Sequence, residues 1–412
     1  MNDSVTLPRY MTRFRCIAER CEDTCCSGLK VPVSPAQERR MRTTLGDTPH
    51  LADGFLQMRP DGGCPFLDPE RMCSLQRRHG EALLPDICAT FPRVVTRWEH
   101  DWEVAGTLAC PEVARLCLLE EDSTLPEPGG DLAHHVSRPD AVRSFAPEPG
   151  DAYAHHARTV RAALLGWLGR REHPLGSRLA LLARFALALE DVYFQGTPAF
   201  TDDGRAQALL DEALQHFDAP DTHAAVHEDF AALALPGGPC VGLFTSVVKA
   251  RREARGARFQ TLATGVLASL GLEQDSPEHL DAAWRTYAER WQRVHATHGA
   301  RLDRAFHNYA LHAVGRTPFT ELPTLLGFVF RLTLRLGLLR LMLMGHPRVL
   351  ALLEAPSAPG AGESLDAAVV ETVQLLAKHV EQSPEFLALS DGLTETGRGA
   401  RTLGKVLVFA SF

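Results

Sequence analysis

The sequence predicts a mainly α protein. A small, irregular, Cys-rich metal-binding N-terminal domain with a short β-hairpin is followed by an all-α helical domain. Three observations predict this. Nine of the ten cysteines (Cys16, Cys21, Cys25, Cys26, Cys64, Cys73, Cys88, Cys110 and Cys117) lie in the first 117 of 412 residues, and only Cys240 lies beyond. From about residue 156 onward, apolar residues recur at three-to-four spacing almost throughout. Between these regions, Pro126-Glu-Pro128-Gly-Gly and Pro147-Glu-Pro149-Gly mark a change of composition. The predicted domains are therefore residues 1–120 and 156–412, with 121–155 as a linker.

Within the first domain, Ser34 reads as an N-cap and Pro35 as the first residue of a helix reaching about Leu45. Arg93–Trp98 and Trp102–Ala105 read as strands flanking a tight turn. Cys110-Pro111-Glu112 opens a helix to about Leu119. In the second domain, helical spacing covers residues 162–168, 179–194, 206–217, 241–272, 280–298, 304–315, 322–344 and 364–383. Pro277 fits a first-turn position, and Trp284, Tyr287 and Trp291 fall on one helical face as core residues.

A net charge of −8 argues against a general nucleic-acid binder. The first eight residues lack the basic and apolar regions of an export signal, so a cytoplasmic location is expected. Leu322–Met344 is long enough to span a bilayer, but Arg331, Arg335 and Arg340 would each cost about 2.5–3.5 kcal/mol at its centre. It reads as a core helix with an arginine-bearing edge, and no membrane insertion is expected. Of 43 basic residues only Lys30, Lys249, Lys378 and Lys405 are lysines, a skew that genomic base composition explains.

In a reducing compartment, clustered thiols point to metal or catalytic use rather than disulfides. Thiolates are soft donors that select zinc, copper(I) or iron–sulfur clusters. The order is Cys16-x4-Cys21-x3-Cys25-Cys26, then Cys64-Pro65, Cys73, Cys88 and Cys110-Pro111. No histidine stands at zinc-finger spacing, and the C-x2-C knuckle is absent. Two cysteines precede proline, as the last ligand of bacterial ferredoxin runs does. Cys25 and Cys26 would point to opposite sides of an extended backbone, serving one large cluster or two sites. These features favour an iron–sulfur site over a zinc staple or redox thiols. Cys117 and Cys240 fall in helical patterns and read as small buried apolar residues.

Other signatures are missing. No G-x-G-x-x-G, G-x-x-x-x-G-K-[ST], H-E-x-x-H or G-x-S-x-G occurs, which argues against Rossmann, P-loop, zincin and hydrolase chemistry. The carboxylates nearest the cysteines, Glu22, Asp23, Asp61, Asp68 and Asp86, read as loop or capping groups. His134-His135 and His155-His156 read as solvated polar residues.

Several blocks resemble the flagellin lysine-N-methylase family, which overlaps the CxxCxxxCC zinc- or iron-chelating cysteine-cluster proteins. They are Pro8-Arg-Tyr10-Met-x-Arg-Phe14-Arg-Cys16, Cys21-Glu-Asp-Thr-Cys25-Cys26, Asp61-Gly-Gly-Cys64-Pro-Phe-Leu67, Met72-Cys73-Ser-Leu75, Leu84-Pro85-Asp86-x-Cys88-x-x-Phe91-Pro92 and Leu108-Ala-Cys110-Pro111. In the helical half, Asn308-Tyr309 with Pro318-Phe319, and Val380-Glu381, look like later family motifs. Here Gln382 stands where the family carries His, and the first cysteine spacing is x4 rather than x2.

The resemblance implies a protein-lysine N-methyltransferase using S-adenosylmethionine with a [4Fe-4S] cluster. Its ligand candidates are Cys16, Cys21, Cys25, Cys26, Cys64, Cys73, Cys88 and Cys110, and its partner is a protein with exposed lysines, flagellin or another surface protein. On that reading Asn308, Tyr309 and the edge formed by Arg331, Arg335 and Arg340 would help present the substrate, while each arginine taken singly reads first as the polar edge of an amphipathic helix. The alternative is a non-enzymatic zinc- or iron-binding structural or regulatory module whose helical domain docks a partner.

Overall fold

Strands β1 (Ser4–Pro8), β4 (Arg93–Trp98), β5 (Asp101–Gly106), β6 (Pro126–Pro128) and β7 (Arg143–Phe145) form one sheet in the order β6-β1-β5-β4-β7. Strands β2 (Leu51–Ala52) and β3 (Phe55–Leu56) form a separate short ribbon. This computed structural model describes residues 4–46, 50–139, 142–194, 203–233, 237–253, 256–274, 276–394 and 399–412. It divides into two units: residues 1–145 with 253–260 and 373–379, and the remainder.

The expected hairpin is β4 and β5, paired antiparallel with Trp98 opposite Asp101. Its two-residue turn takes Glu99 to φ +52°, the left-handed region such turns require. Alternation drives the sheet: Trp102 and Val104 point inward while Asp101 and Glu103 stay at the surface side. The edges depart from expectation. Residues 121–155, read as a linker, supply β6 against β1 and β7 beside β4. Both strands are three residues long, and β6 carries prolines that an edge tolerates because it need not donate every N–H. Such strands leave no alternating pattern to read.

Among the described residues up to 145 the α-helices are α1 (Arg9–Arg13), α2 (Pro35–Leu45), α3 (Ser74–His79), α4 (Asp86–Thr90) and α5 (Pro111–Leu119). Helix α2 starts where expected. Ser34 accepts from the Gln37 N–H, and the Gln37 side chain accepts from the Ser34 N–H, a reciprocal capping box. Its buried face joins Val31, Val33, Leu51, Leu56 and Leu75 in a small core around Met41.

The rest is helical: α6 (Ala152–His155), α7 (Ala157–Gly169), α8 (Leu175–Phe194), α9 (Asp203–Asp218), α10 (Pro220–Ala231), α11 (Gly238–Arg252), α12 (Ala257–Ser269), α13 (Pro277–Arg316), α14 (Leu325–Met344), α15 (Pro347–Glu354), α16 (Ala361–His379), α17 (Pro384–Leu393) and α18 (Gly399–Ser411). The run read as 241–272 is two helices, α11 and α12; residues 254 and 255 between them lie outside the described residues. The near-match Gly397-x-Gly399 likewise begins outside them. Conversely, 280–298 and 304–315 belong to one helix, α13, kinked at His298 (φ −128°, ψ 20°).

Helix α14 is the centre of this unit. Every residue in it is buried except Arg331, Arg335 and Arg340. Each of these has its own partner: Arg331 donates to Ser390 Oγ at 3.0 Å, Arg335 Nε stands 3.8 Å from Glu381, and Arg340 lies 4.8 Å over the Trp291 ring. Among the described residues no helix is long and apolar enough to cross a membrane. Tyr287 is buried as expected and donates to the carbonyl of Phe412 at 2.7 Å.

Candidate metal centre

The cysteines sort into two sets. Cys25, Cys26, Cys64, Cys73 and Cys88 line one cavity of about 640 Å³, counting its open mouth. Its other walls are apolar apart from Gln76, with Leu29, Val31, Leu56, Phe66, Leu75 and Phe91 prominent. Cys16, Cys21 and Cys110 stand outside that lining. Cys117 and Cys240 are buried elsewhere, as expected of small apolar residues.

Backbone bonds explain how distant segments meet. Cys64 N–H donates to the Cys26 carbonyl at 2.8 Å, and Gly28 N–H to the Gly62 carbonyl at 3.2 Å. The vicinal pair differs from expectation. Ser27 N–H closes a turn onto the Thr24 carbonyl at 3.3 Å, so the backbone at Cys25-Cys26 is bent rather than extended. Both sulfurs therefore face the same cavity. Cys73 is the N-cap of α3 and Cys110 that of α5, which accounts for Pro111 at the first helical position.

The cavity holds a thiol chain. Hydrogen bonding shared among the neighbouring thiols lowers Cys25 and Cys73 and raises Cys26. The N–H groups of Gln76 and Leu75 also donate to Cys73. Burial raises Cys64, and the packing around its thiol pushes Cys88 up to about 12 although the residue is exposed. Cys110 is also pushed to about 12 by burial, opposed by the N–H groups of Val113 and Glu112 at the start of α5.

Among the described residues no group of three or more His, Cys, Asp or Glu is drawn close enough, as it stands, to grip an ion. The donor set nonetheless suits a soft metal or an iron–sulfur cluster: five sulfurs line one largely apolar cavity that has no carboxylate in its lining and Gln76 as its one polar side chain besides the cysteines, with Cys25 and Cys88 exposed. N–H groups aimed at Cys73 are the kind of bond that tunes thiolate ligands.

The nearby carboxylates serve the structure. Glu22 pairs with Arg115, Asp68 with Arg77 and Asp86 with Arg138, while Asp61 accepts the Gly63 N–H at 2.8 Å. Asp23 differs, because the far end of α16 reaches it. Lys378 Nζ lies 2.9 Å from Asp23 Oδ1, and Gln374 Nε2 donates to Asp23 Oδ2 at 2.8 Å. Sequence reading missed both residues, which lie 351 or more positions from Asp23. The scarcity of lysine was the available signal: one of only four sits here.

Asn308 and Tyr309, expected to help present the substrate, are interior, 1% and 2% exposed. His135 bonds the Gly129 carbonyl at 2.7 Å and His156 the Tyr193 hydroxyl at 2.9 Å, both structural contacts.

Comparison with known proteins follows the same division. Residues 15–111 match the CxxCxxCC domain, described as zinc- or iron-chelating, and residues 161–409 match the FliB lysine N-methylase C-terminal domain. The lysine-N-methylase of Salmonella typhimurium is 27% identical over 135 residues, 29% of this chain and 34% of that protein. The flagellar biosynthetic protein FliU of Salmonella muenchen is 27% identical over 135 residues, 29% of this chain and 80% of that protein. The match thus spans about a third of the curated lysine-N-methylase. No solved structure matches. With more than half of its length covered by the one model, the chain belongs to the family of the FliB lysine N-methylase C-terminal domain.

Proposed function

We propose that the chain is a protein-lysine N-methyltransferase acting in the cytoplasm. It uses S-adenosylmethionine and holds a [4Fe-4S] cluster among Cys25, Cys26, Cys64, Cys73 and Cys88. Its partner is a protein with exposed lysines, a flagellin or another surface protein. The observation that carries this reading is the gathering of five thiols into one apolar cavity in a chain whose helical half matches the lysine N-methylase model. S-adenosylmethionine, when bound, supplies the methyl group.

The residues of this chain would bind and orient. Four thiolates would ligate the cluster, and Cys26, which stands between Cys25 and Cys73, and Cys73 itself would be among them. Leu56, Phe66 and Phe91 would give the cluster a largely apolar surround. A substrate lysine must give up its proton before its nitrogen can attack by a polar route, so it needs a desolvating slot.

The test is incubation of the anaerobically purified full-length chain with methyl-labelled S-adenosylmethionine and a flagellin. Label on lysine Nε supports the reading. A chain loaded with iron and sulfide that labels no lysine, on flagellin or in its host lysate, contradicts it.

A further inference from the structure

Lys378 is a cation held in the protein interior beside the thiol cavity. Its side chain is 3% exposed and that of Asp23 is 12% exposed. Besides Asp23, the ammonium donates to the Thr24 carbonyl at 3.2 Å. Thr24 is itself part of the ligand loop, since its hydroxyl accepts the Cys26 N–H at 3.2 Å. One helical turn earlier, Gln374 bonds Asp23 and the Ala109 carbonyl at 3.1 Å, the residue before Cys110. Two successive turns of α16 thus grip both segments that carry the cysteines outside the cavity. The pair is also oriented: the lysine charge acts on Cys25, and the aspartate charge on Cys21.

A metal site built of thiolates is anionic. Four thiolates around one divalent ion carry a net charge of about −2. In an apolar enclosure that charge is costly unless a cation stands near. Arginine supplies nearly all basic residues here, yet this interior position carries lysine, whose compact ammonium fits between one carboxylate and one carbonyl.

We propose that Lys378 is a positioning residue for the thiol site: its buried ammonium fixes the Cys21–Cys26 loop through Asp23 and Thr24 and compensates the negative charge that the cavity acquires when it binds metal. This rests on the metal-binding reading of the cavity and goes beyond it by assigning a residue of α16, distant along the chain but in the same unit, a role there.

Cobalt(II) is the probe, added to the metal-free full-length chain and followed by its thiolate charge-transfer absorption. Lys378→Met is expected to bind cobalt 10–100-fold more weakly than the unmodified chain, the range seen when groups supporting metal ligands are removed. Lys378→Arg, which keeps the charge, should stay within about threefold. Lys378→Gln keeps a donor to Asp23 without charge and should be as weak as the methionine variant; it serves if Lys378→Met does not fold. Binding within twofold of the unmodified chain for the methionine or glutamine variant overturns the proposal. So does an arginine variant as weak as they are. If the unmodified chain binds no cobalt through thiolates, the metal-binding reading itself fails and the proposal with it.

Discussion

Tyr309 donates its hydroxyl to Glu381 Oε1 at 2.7 Å, and both residues are buried. Burial raises the tyrosine well above its ordinary range, so it remains a donor at any working pH. The bond joins the two late motifs that the sequence marked separately, Asn308-Tyr309 and Val380-Glu381. Arg335, at 3.8 Å, supplies the counter-charge. Tyr309→Phe removes a donor from a buried carboxylate and should cost about 1–3 kcal/mol. Urea denaturation measures it; an unchanged midpoint would remove this bond from the account of the helical core.

The same unit should weaken in acid. Burial, then the charges of Arg171 and Arg178, lower His307 to about 4; burial, then Arg316 and Arg335, lower His312 to about 3. Both are neutral in the folded chain near pH 6.5, where unfolded histidine begins to bind a proton. The unfolded state therefore gains protons first. Stability is retained above about pH 6.5 and falls from there down to about pH 4, by roughly 3 kcal/mol for His307. His307→Asn should flatten part of that slope between pH 7 and 4.5, and an identical slope would contradict the assignment.

Two glycines should respond oppositely to alanine. At Gly106 a Cβ would stand 2.6 Å from Met11 Sδ and 2.7 Å from Val113 Cγ1, while the Gly106 N–H donates to the Tyr10 hydroxyl at 3.0 Å. Gly106→Ala should cost about 1–3 kcal/mol. Gly166, exposed within α7, meets nothing within 4 Å, and Gly166→Ala should stabilise by about 0.5–1 kcal/mol. Thermal midpoints that move together would refute the packing described at the end of β5.

The cysteines should divide by place. Cys26→Ser and Cys73→Ser break the thiol chain and should abolish most metal loading, whereas Cys117→Ala should lower thermal stability and leave loading unchanged. Equal losses of metal across all three would argue against a localised site.

Much of this was legible in the sequence. Helix α2 was written in Ser34-Pro35, the β4–β5 hairpin in its alternation, α14 in an apolar run whose arginines define one edge, and the metal region in its cysteine blocks. What escaped depended on tertiary contact. Strands β6 and β7 exist only because β1 and β4 offer edges to pair with. The common direction of Cys25 and Cys26 follows from a turn closed at Thr24, a residue with no special turn signal. Lys378 and Gln374 reach Asp23 only through the path of α16, and no local pattern encodes that.

The most direct test of the central claim is metal and acid-labile sulfide analysis of the anaerobically purified full-length chain beside Cys26→Ser. The account predicts about four iron and four sulfide per unmodified chain, the content of one [4Fe-4S] cluster, and little of either in the variant. Zinc without iron or sulfide in the unmodified chain, or full iron and sulfide in Cys26→Ser, would contradict it.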